Sequence, residues 1–144
     1  YFLNGILADL FMKKGWLSWE KMYLYSGVLL TLILAFIAVE NGRASAILWG
    51  LVMFLSTMTM ISFPLMRKLY ASSEVGRALS LLNFTIFLMS FIFQWFIGVV
   101  LDFYPVVDGR FSAQGYQTSL AVIVLLNMAA VIHLYFELRK RRII

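Results

Sequence analysis

The chain of 144 residues is 62% hydrophobic and 13% charged, whereas an ordinary soluble domain is about half apolar and a quarter charged. Too few polar side chains are present to cover a soluble globule of this size, so an integral membrane protein is expected. The sequence has no Cys and a single His, which excludes disulfides and the usual metal clusters, and no cofactor is expected. The net charge of +5 would also fit a nucleic-acid binder, so the position of the basic residues must decide between these classes.

Four apolar runs are long enough to cross a bilayer, which takes about 20 residues. They are residues 22–39, 44–66, 78–101 and 116–136. Residues 1–21 are interpreted as the end of a preceding helix followed by a loop, and residues 137–144 as a tail. The prediction is therefore an all-α integral membrane protein with four transmembrane helices joined by short connections.

The basic residues cluster at alternate ends of the predicted helices. Ten of the twelve precede the first span, lie between the second and third, or follow the fourth: Lys13, Lys14, Lys21, Arg67, Lys68, Arg77, Arg139, Lys140, Arg141 and Arg142. Arg43 and Arg110 lie on the other side. The positive-inside rule places the ten, and both ends of the segment, in the cytoplasm, as in a plasma membrane or bacterial inner membrane. Because every cluster adjoins a helix end, the lipid bilayer is the expected partner and nucleic acid is not.

A first motif lies in the stretch GILADLFMKK. Gly5 precedes Asp9 by four residues, and the basic pair Lys13 and Lys14 follows. This pattern resembles a cytoplasmic loop signature of the major facilitator superfamily, the twelve-helix secondary transporters. A glycine lets a neighbouring helix approach, and a carboxylate is favoured at another helix's N-terminus. The resemblance implies that Gly5, Asp9, Lys13 and Lys14 belong to a gating loop, in which Asp9 makes a contact that forms in one conformation and breaks in the other. The alternative is that Asp9 is an ordinary solvated loop acid.

A second motif opens the third predicted span. Glu74 and Arg77 stand in the stretch EVGRALSLLNF, and the span ends with Gly98 and Asp102. This resembles the entry into helix eleven of the same superfamily. The resemblance implies that the four spans are helices nine to twelve, part of the C-terminal six-helix bundle, and that Glu74 and Arg77 belong with the gating residues. It further implies transport of a small-molecule substrate by alternating access, with the remaining upstream helices of the same transporter as partners.

Uncharged polar side chains within the spans are the candidate solute contacts. Asn83, Ser90 and Gln94 are spaced by seven and four residues and share one helix face, with Phe87 between them. Because unpaired polar groups are costly in hydrocarbon, this stripe is predicted to line a substrate cavity, to which Ser56 of the second span is added. The alternative is hydrogen bonding between helices or to the helix's own backbone, which is the better interpretation for the hydroxyls of the second span.

Catalysis is not expected, because the sequence shows no nucleophile–base pair, metal set or phosphate loop. Two other functions stay open: a self-contained four-helix protein, such as a small multidrug exporter that works as a dimer, and a structural or assembly subunit without a substrate. An exporter of that kind needs an intramembrane acid, and no predicted span has a carboxylate near its centre. Since Tyr1 is not an initiator Met and an apolar stretch follows it, the chain is expected to continue an upstream sequence.

Overall fold

A computed structural model of the chain describes residues 2–40, 45–107 and 109–142, except for the side chains of 2–4, 7–9 and 107. Over these residues the fold is helical, apart from one antiparallel pair of two-residue strands. The elements are α1 (Phe2–Lys13), α2 (Trp19–Val39), α3 (Ala46–Ser56), a 3₁₀ segment (Thr57–Ile61), α4 (Ser62–Leu69), α5 (Val75–Asp102), β1 (Val106–Val107), β2 (Arg110–Phe111) and α6 (Ala113–Lys140).

Four helical stretches are long and apolar enough to cross a membrane, in agreement with the four predicted spans. They are Trp19–Val39, Ala46–Leu69, Val75–Asp102 and Ala113–Lys140. The helices run past most of the predicted limits because hydropathy follows the apolar stretch, whereas a helix continues into polar turns until a capping residue ends it. Ser18, Ser45 and Ser112 are such caps, and each side chain accepts a hydrogen bond from a backbone N–H three residues later.

The connection between α1 and α2 is a tight turn. Gly15 adopts a φ of +65°, a left-handed conformation that glycine adopts at no steric cost. Its N–H donates to the Met12 carbonyl at 3.0 Å and the Trp16 N–H donates to the Phe11 carbonyl at 3.1 Å, which is the Schellman pattern of a helix end. The Phe11 and Trp16 rings pack with centroids 6.0 Å apart, and the Lys14 Nζ lies 4.6 Å from the Trp16 ring centroid. This turn fixes the exit of α1 relative to the start of α2.

The four spans are packed in a ring. The first span, α2, contacts α3 of the second span and α6 of the fourth, and the third span, α5, contacts α4 of the second span and α6. The contact between α2 and α6 is the most extensive and is close at Gly27, where an added Cβ would lie 3.1 Å from Val131 Cγ2. One turn away, Asn127 Nδ2 donates to Thr31 Oγ1 at 2.9 Å, and that hydroxyl donates to the Gly27 carbonyl at 2.7 Å. Small residues let two helices approach in a membrane, and the amide then joins them.

The four spans form one up-and-down unit with two distinct ends. At one end a cavity of about 280 Å³ is lined by residues of all four spans, including Glu20, Leu69, Leu82 and Glu137. The ten basic residues of the three predicted cytoplasmic clusters lie at the helix ends and turns on this side, here called the basic end. Arg110 lies at the opposite end, and Arg43 is outside the described residues.

Candidate functional site

The predicted cavity stripe lies on an outward face of α5. Asn83, Phe87, Ser90 and Gln94 are all exposed, and Phe87 has a relative exposure of 69%. Leu82 and Ile97, which line cavities between the helices, lie about 110° and about 50° around the helix from the centre of the stripe. The four residues therefore share a face, as predicted, and that face points away from the interior of the four-helix unit.

The two amides of the stripe have no partner among the described residues. The Ser90 hydroxyl donates to the Ile86 carbonyl at 2.8 Å, so its hydrogen is used within α5. No described hydrogen bond involves the side-chain amide of Asn83 or Gln94. In hydrocarbon such a group costs several kcal/mol by order of magnitude. Water, a solute or further protein must therefore meet these amides in the membrane.

A different outward face of α5 is apolar. Leu88, Ile92 and Trp95 are exposed and lie on the far side of the helix from the stripe at about 3.6 residues per turn. Such a face is suited to lipid. The helix thus presents an inner packing face, a polar outer face and an apolar outer face, and the last two provide an internal comparison for any accessibility measurement.

The hydroxyls of the second span are bonded to their own helix. Ser56 Oγ donates to the Val52 carbonyl at 2.7 Å and Thr59 Oγ1 donates to the Ser56 carbonyl at 2.8 Å. Ser62 Oγ donates in the same way to the Thr59 carbonyl at 2.5 Å. These bonds have the own-backbone pattern that the sequence favoured for this span. Ser56 is half-buried on α3, a helix that packs against α2, and no described hydrogen bond joins it to the stripe on α5.

The first part of the predicted gating set lies on α1 and the turn after it. Gly5 is exposed, with open space where a Cβ would be, and Lys13 and Lys14 are exposed at the basic end. The side chain of Asp9 lies outside the described residues, although its backbone belongs to α1. The pattern that resembles a loop signature is therefore helical for most of its length.

The second part of the gating set lies where α5 begins. Glu74 is the residue before α5 and Arg77 is in its first turn. Both line an open groove of about 290 Å³ together with Tyr70 and Leu81. No hydrogen bond or ion pair between this groove and the described side chains of α1 is present. The gating contact itself stays a prediction.

Two polar contacts between helices were missed by sequence analysis. Lys68 Nζ lies 2.6 Å from Glu20 Oε1, and the Glu20 side chain is 10% exposed against 64% for Lys68. The signal for this pair is an acid in the first turn of one span and a lysine in the last turn of the next, which a helical hairpin brings together. The second contact is the bond from Asn127 to Thr31, and Asn127 also lines a cavity of about 220 Å³ between α2, the 3₁₀ segment and α6.

The chain matches no protein-family model, no curated protein and no solved structure. Among the described residues, no group of three or more His, Cys, Asp or Glu is placed to hold a metal ion. The unpartnered amides on α5 are the feature of the described residues that points most directly to a ligand.

Proposed function

We propose that the chain is part of a secondary transporter of the major facilitator superfamily and helps to move a small solute by alternating access. The observation that carries this proposal is the pair of unpartnered amides, Asn83 and Gln94, on an outward face of α5. In this proposal the face lines an aqueous path that the upstream helices of the transporter complete. The resemblance of the segments around Asp9 and Arg77 to superfamily motifs supports the same assignment.

The stripe offers hydrogen bonds without charge. Each amide can both donate and accept, and Phe87 between them offers an apolar ring to the same solute. Because no charged side chain belongs to the stripe, its share of solute recognition consists of hydrogen bonds and ring contacts. The gating residues at the basic end, Asp9 with Glu74 and Arg77, make their contact in one of the two access states and release it in the other.

Cysteine accessibility along α5 tests the proposal, since these 144 residues contain no Cys and any Cys elsewhere in the full-length protein is first replaced by Ser. Single Cys replacements at 83, 87, 90 and 94 are compared with replacements at 88, 92 and 95 in the full-length protein in membranes. A small cationic methanethiosulfonate is the reagent. The first set should react about tenfold faster or more, because the thiolate that reacts forms in water and is suppressed in apolar surroundings.

Two outcomes would contradict the proposal. Faster labelling at 88, 92 and 95, or no labelling at any position, would show that the polar stripe faces no aqueous path. Oxidative cross-linking of two copies through Ser90→Cys would show that the stripe is an interface, which favours the four-helix dimer instead.

A further inference from the structure

A cavity of about 590 Å³ lies at the end of the unit opposite the basic end. It is lined by residues of α2, α3, α5, β2 and α6, among them Ile37, Trp49, Ile97, Phe111, Tyr116 and Gln117. Small-molecule sites usually measure about 300 to 1,000 Å³ and are mostly apolar with a few placed polar groups. This cavity, here called the aromatic cavity, has that size and that kind of lining.

The lining selects an uncharged, ring-containing ligand. Trp49, Phe111 and Tyr116 come from three different elements, and aromatic pairs are favoured in offset or edge-to-face arrangements. No described residue that lines the cavity is charged, so the described walls offer a charged ligand no counter-charge in place of the hydration that it loses. The Gln117 amide can donate and accept a hydrogen bond, which suits one hydroxyl or amide on the ligand.

Local contacts fix the walls of the aromatic cavity. A Cβ added at Gly115 would lie 2.8 Å from Leu101 Cδ2, so the start of α6 is packed tightly on the end of α5. The hydroxyls of Tyr104 and Thr118 are 2.7 Å apart and join the segment that follows α5 to α6. The pairing of Val106 with Phe111 holds β2 in place. A site whose walls are already ordered loses little free energy to ordering when a ligand binds.

We propose that the aromatic cavity binds an uncharged amphipathic molecule, with a flat apolar ring and a single hydroxyl or amide group. The hydroxyl or amide pairs with Gln117, and the ring lies among Trp49, Phe111 and Tyr116. The site is separate from the polar stripe of α5. Its occupancy is measured by binding alone, so the outcome is independent of the transport proposal.

Trp49 provides the reporter for a binding experiment. In the full-length protein in lipid nanodiscs, Trp16, Trp19 and Trp95 of this segment are replaced by Phe, together with any other Trp of the protein. The probe is 4-bromophenol, whose bromine quenches tryptophan fluorescence on contact. Quenching should saturate with 4-bromophenol, whereas 4-bromobenzenesulfonate, which has the same ring but a negative charge, should not give a saturable phase.

Two matched pairs of variants locate the effect. Ala113→Phe places a ring in the cavity and should abolish saturable quenching, whereas Ala121→Phe, exposed on the same helix outside the cavity, should not. Gln117→Leu should weaken binding about fivefold, the value of one net hydrogen bond, and the exposed control Gln114→Leu should leave it unchanged. Quenching that is linear in probe concentration and equal in all variants would show partition into lipid only and would overturn the proposal. Equal saturable quenching by the sulfonate would overturn it as well.

Discussion

The contact between Glu20 and Lys68 joins the start of α2 to the end of α4 through one carboxylate and one amine, 2.6 Å apart. The Glu20 side chain is nearly buried at 10% exposure, whereas Lys68 is 64% exposed. A buried carboxylate without a counter-charge lowers the stability of the fold. Solvent screens the exposed lysine, however, and this reduces the contribution of the ion pair to the free energy of unfolding.

A double-mutant cycle should therefore show coupling between these two residues. Glu20→Gln, Lys68→Gln and the double variant, compared by thermal unfolding in detergent, should give a coupling free energy of about 1 kcal/mol. Arg67→Gln, which removes an exposed neighbouring charge, is the control and should show no coupling with Glu20→Gln. Additive effects in both cycles would mean that the ion pair contributes nothing to stability.

Periodicity predicted the shared face of the α5 stripe correctly because that relation is local to one helix. Asn83, Ser90 and Gln94 fall on one side at about 3.6 residues per turn whatever the rest of the fold does. The pairs Glu20–Lys68 and Thr31–Asn127 are separated by 48 and 96 residues, so their geometry depends on which helices pack together and in which register. The helix pairing and its register cannot be inferred from a single sequence.

The second span is one helical stretch of two α-helical parts joined by the five-residue 3₁₀ segment. We expect Pro64 in α4 to favour this 3₁₀ segment, because proline has no N–H and its ring excludes the normal helical bond to the carbonyl four residues earlier. Hydroxyls at Ser56, Thr59 and Ser62 bond to backbone carbonyls along the same stretch. Hydropathy predicted an uninterrupted span here, because it depends on how apolar the residues are and not on whether each has a backbone N–H to donate.

Replacement of Pro64 by Ala should convert the 3₁₀ segment to α-helix. Because a 3₁₀ helix rises about 2.0 Å per residue and an α-helix about 1.5 Å, five converted residues should shorten the span by about 2.5 Å. Spin labels on Cys at the exposed positions 47 and 69 would report this distance by double electron–electron resonance.

The other proline of the chain supplies the control for this measurement. Pro105 lies between α5 and β1, so Pro105→Ala should leave the distance from 47 to 69 unchanged. An unchanged distance in Pro64→Ala as well would show that the tertiary packing of the span, rather than the proline, imposes the 3₁₀ conformation.

At the scale of the whole molecule, the up-and-down arrangement collects charges that are far apart in sequence. The basic end receives the starts of α2 and α5 and the ends of α4 and α6. Of the twelve Lys and Arg, ten lie on that side, and loops rich in Lys and Arg stay on the cytoplasmic side of a membrane. The cytoplasmic location of the ten basic residues is thus a prediction that rests on both the sequence and the fold. The same orientation would place the aromatic cavity in the leaflet that faces away from the cytoplasm.

Labelling from the two sides of the membrane tests this orientation. Single Cys at 72, in the exposed turn between α4 and α5, should react with a membrane-impermeant maleimide only in inverted vesicles. Single Cys at 114, exposed in the first turn of α6, should react only in intact cells, because the apolar helix α5 separates the two positions. Denatured protein labelled at both positions controls for thiol reactivity. Labelling of both from the same side would mean that α5 does not cross the membrane, which would contradict the four-span topology and leave the polar stripe of α5 without a transmembrane path to line.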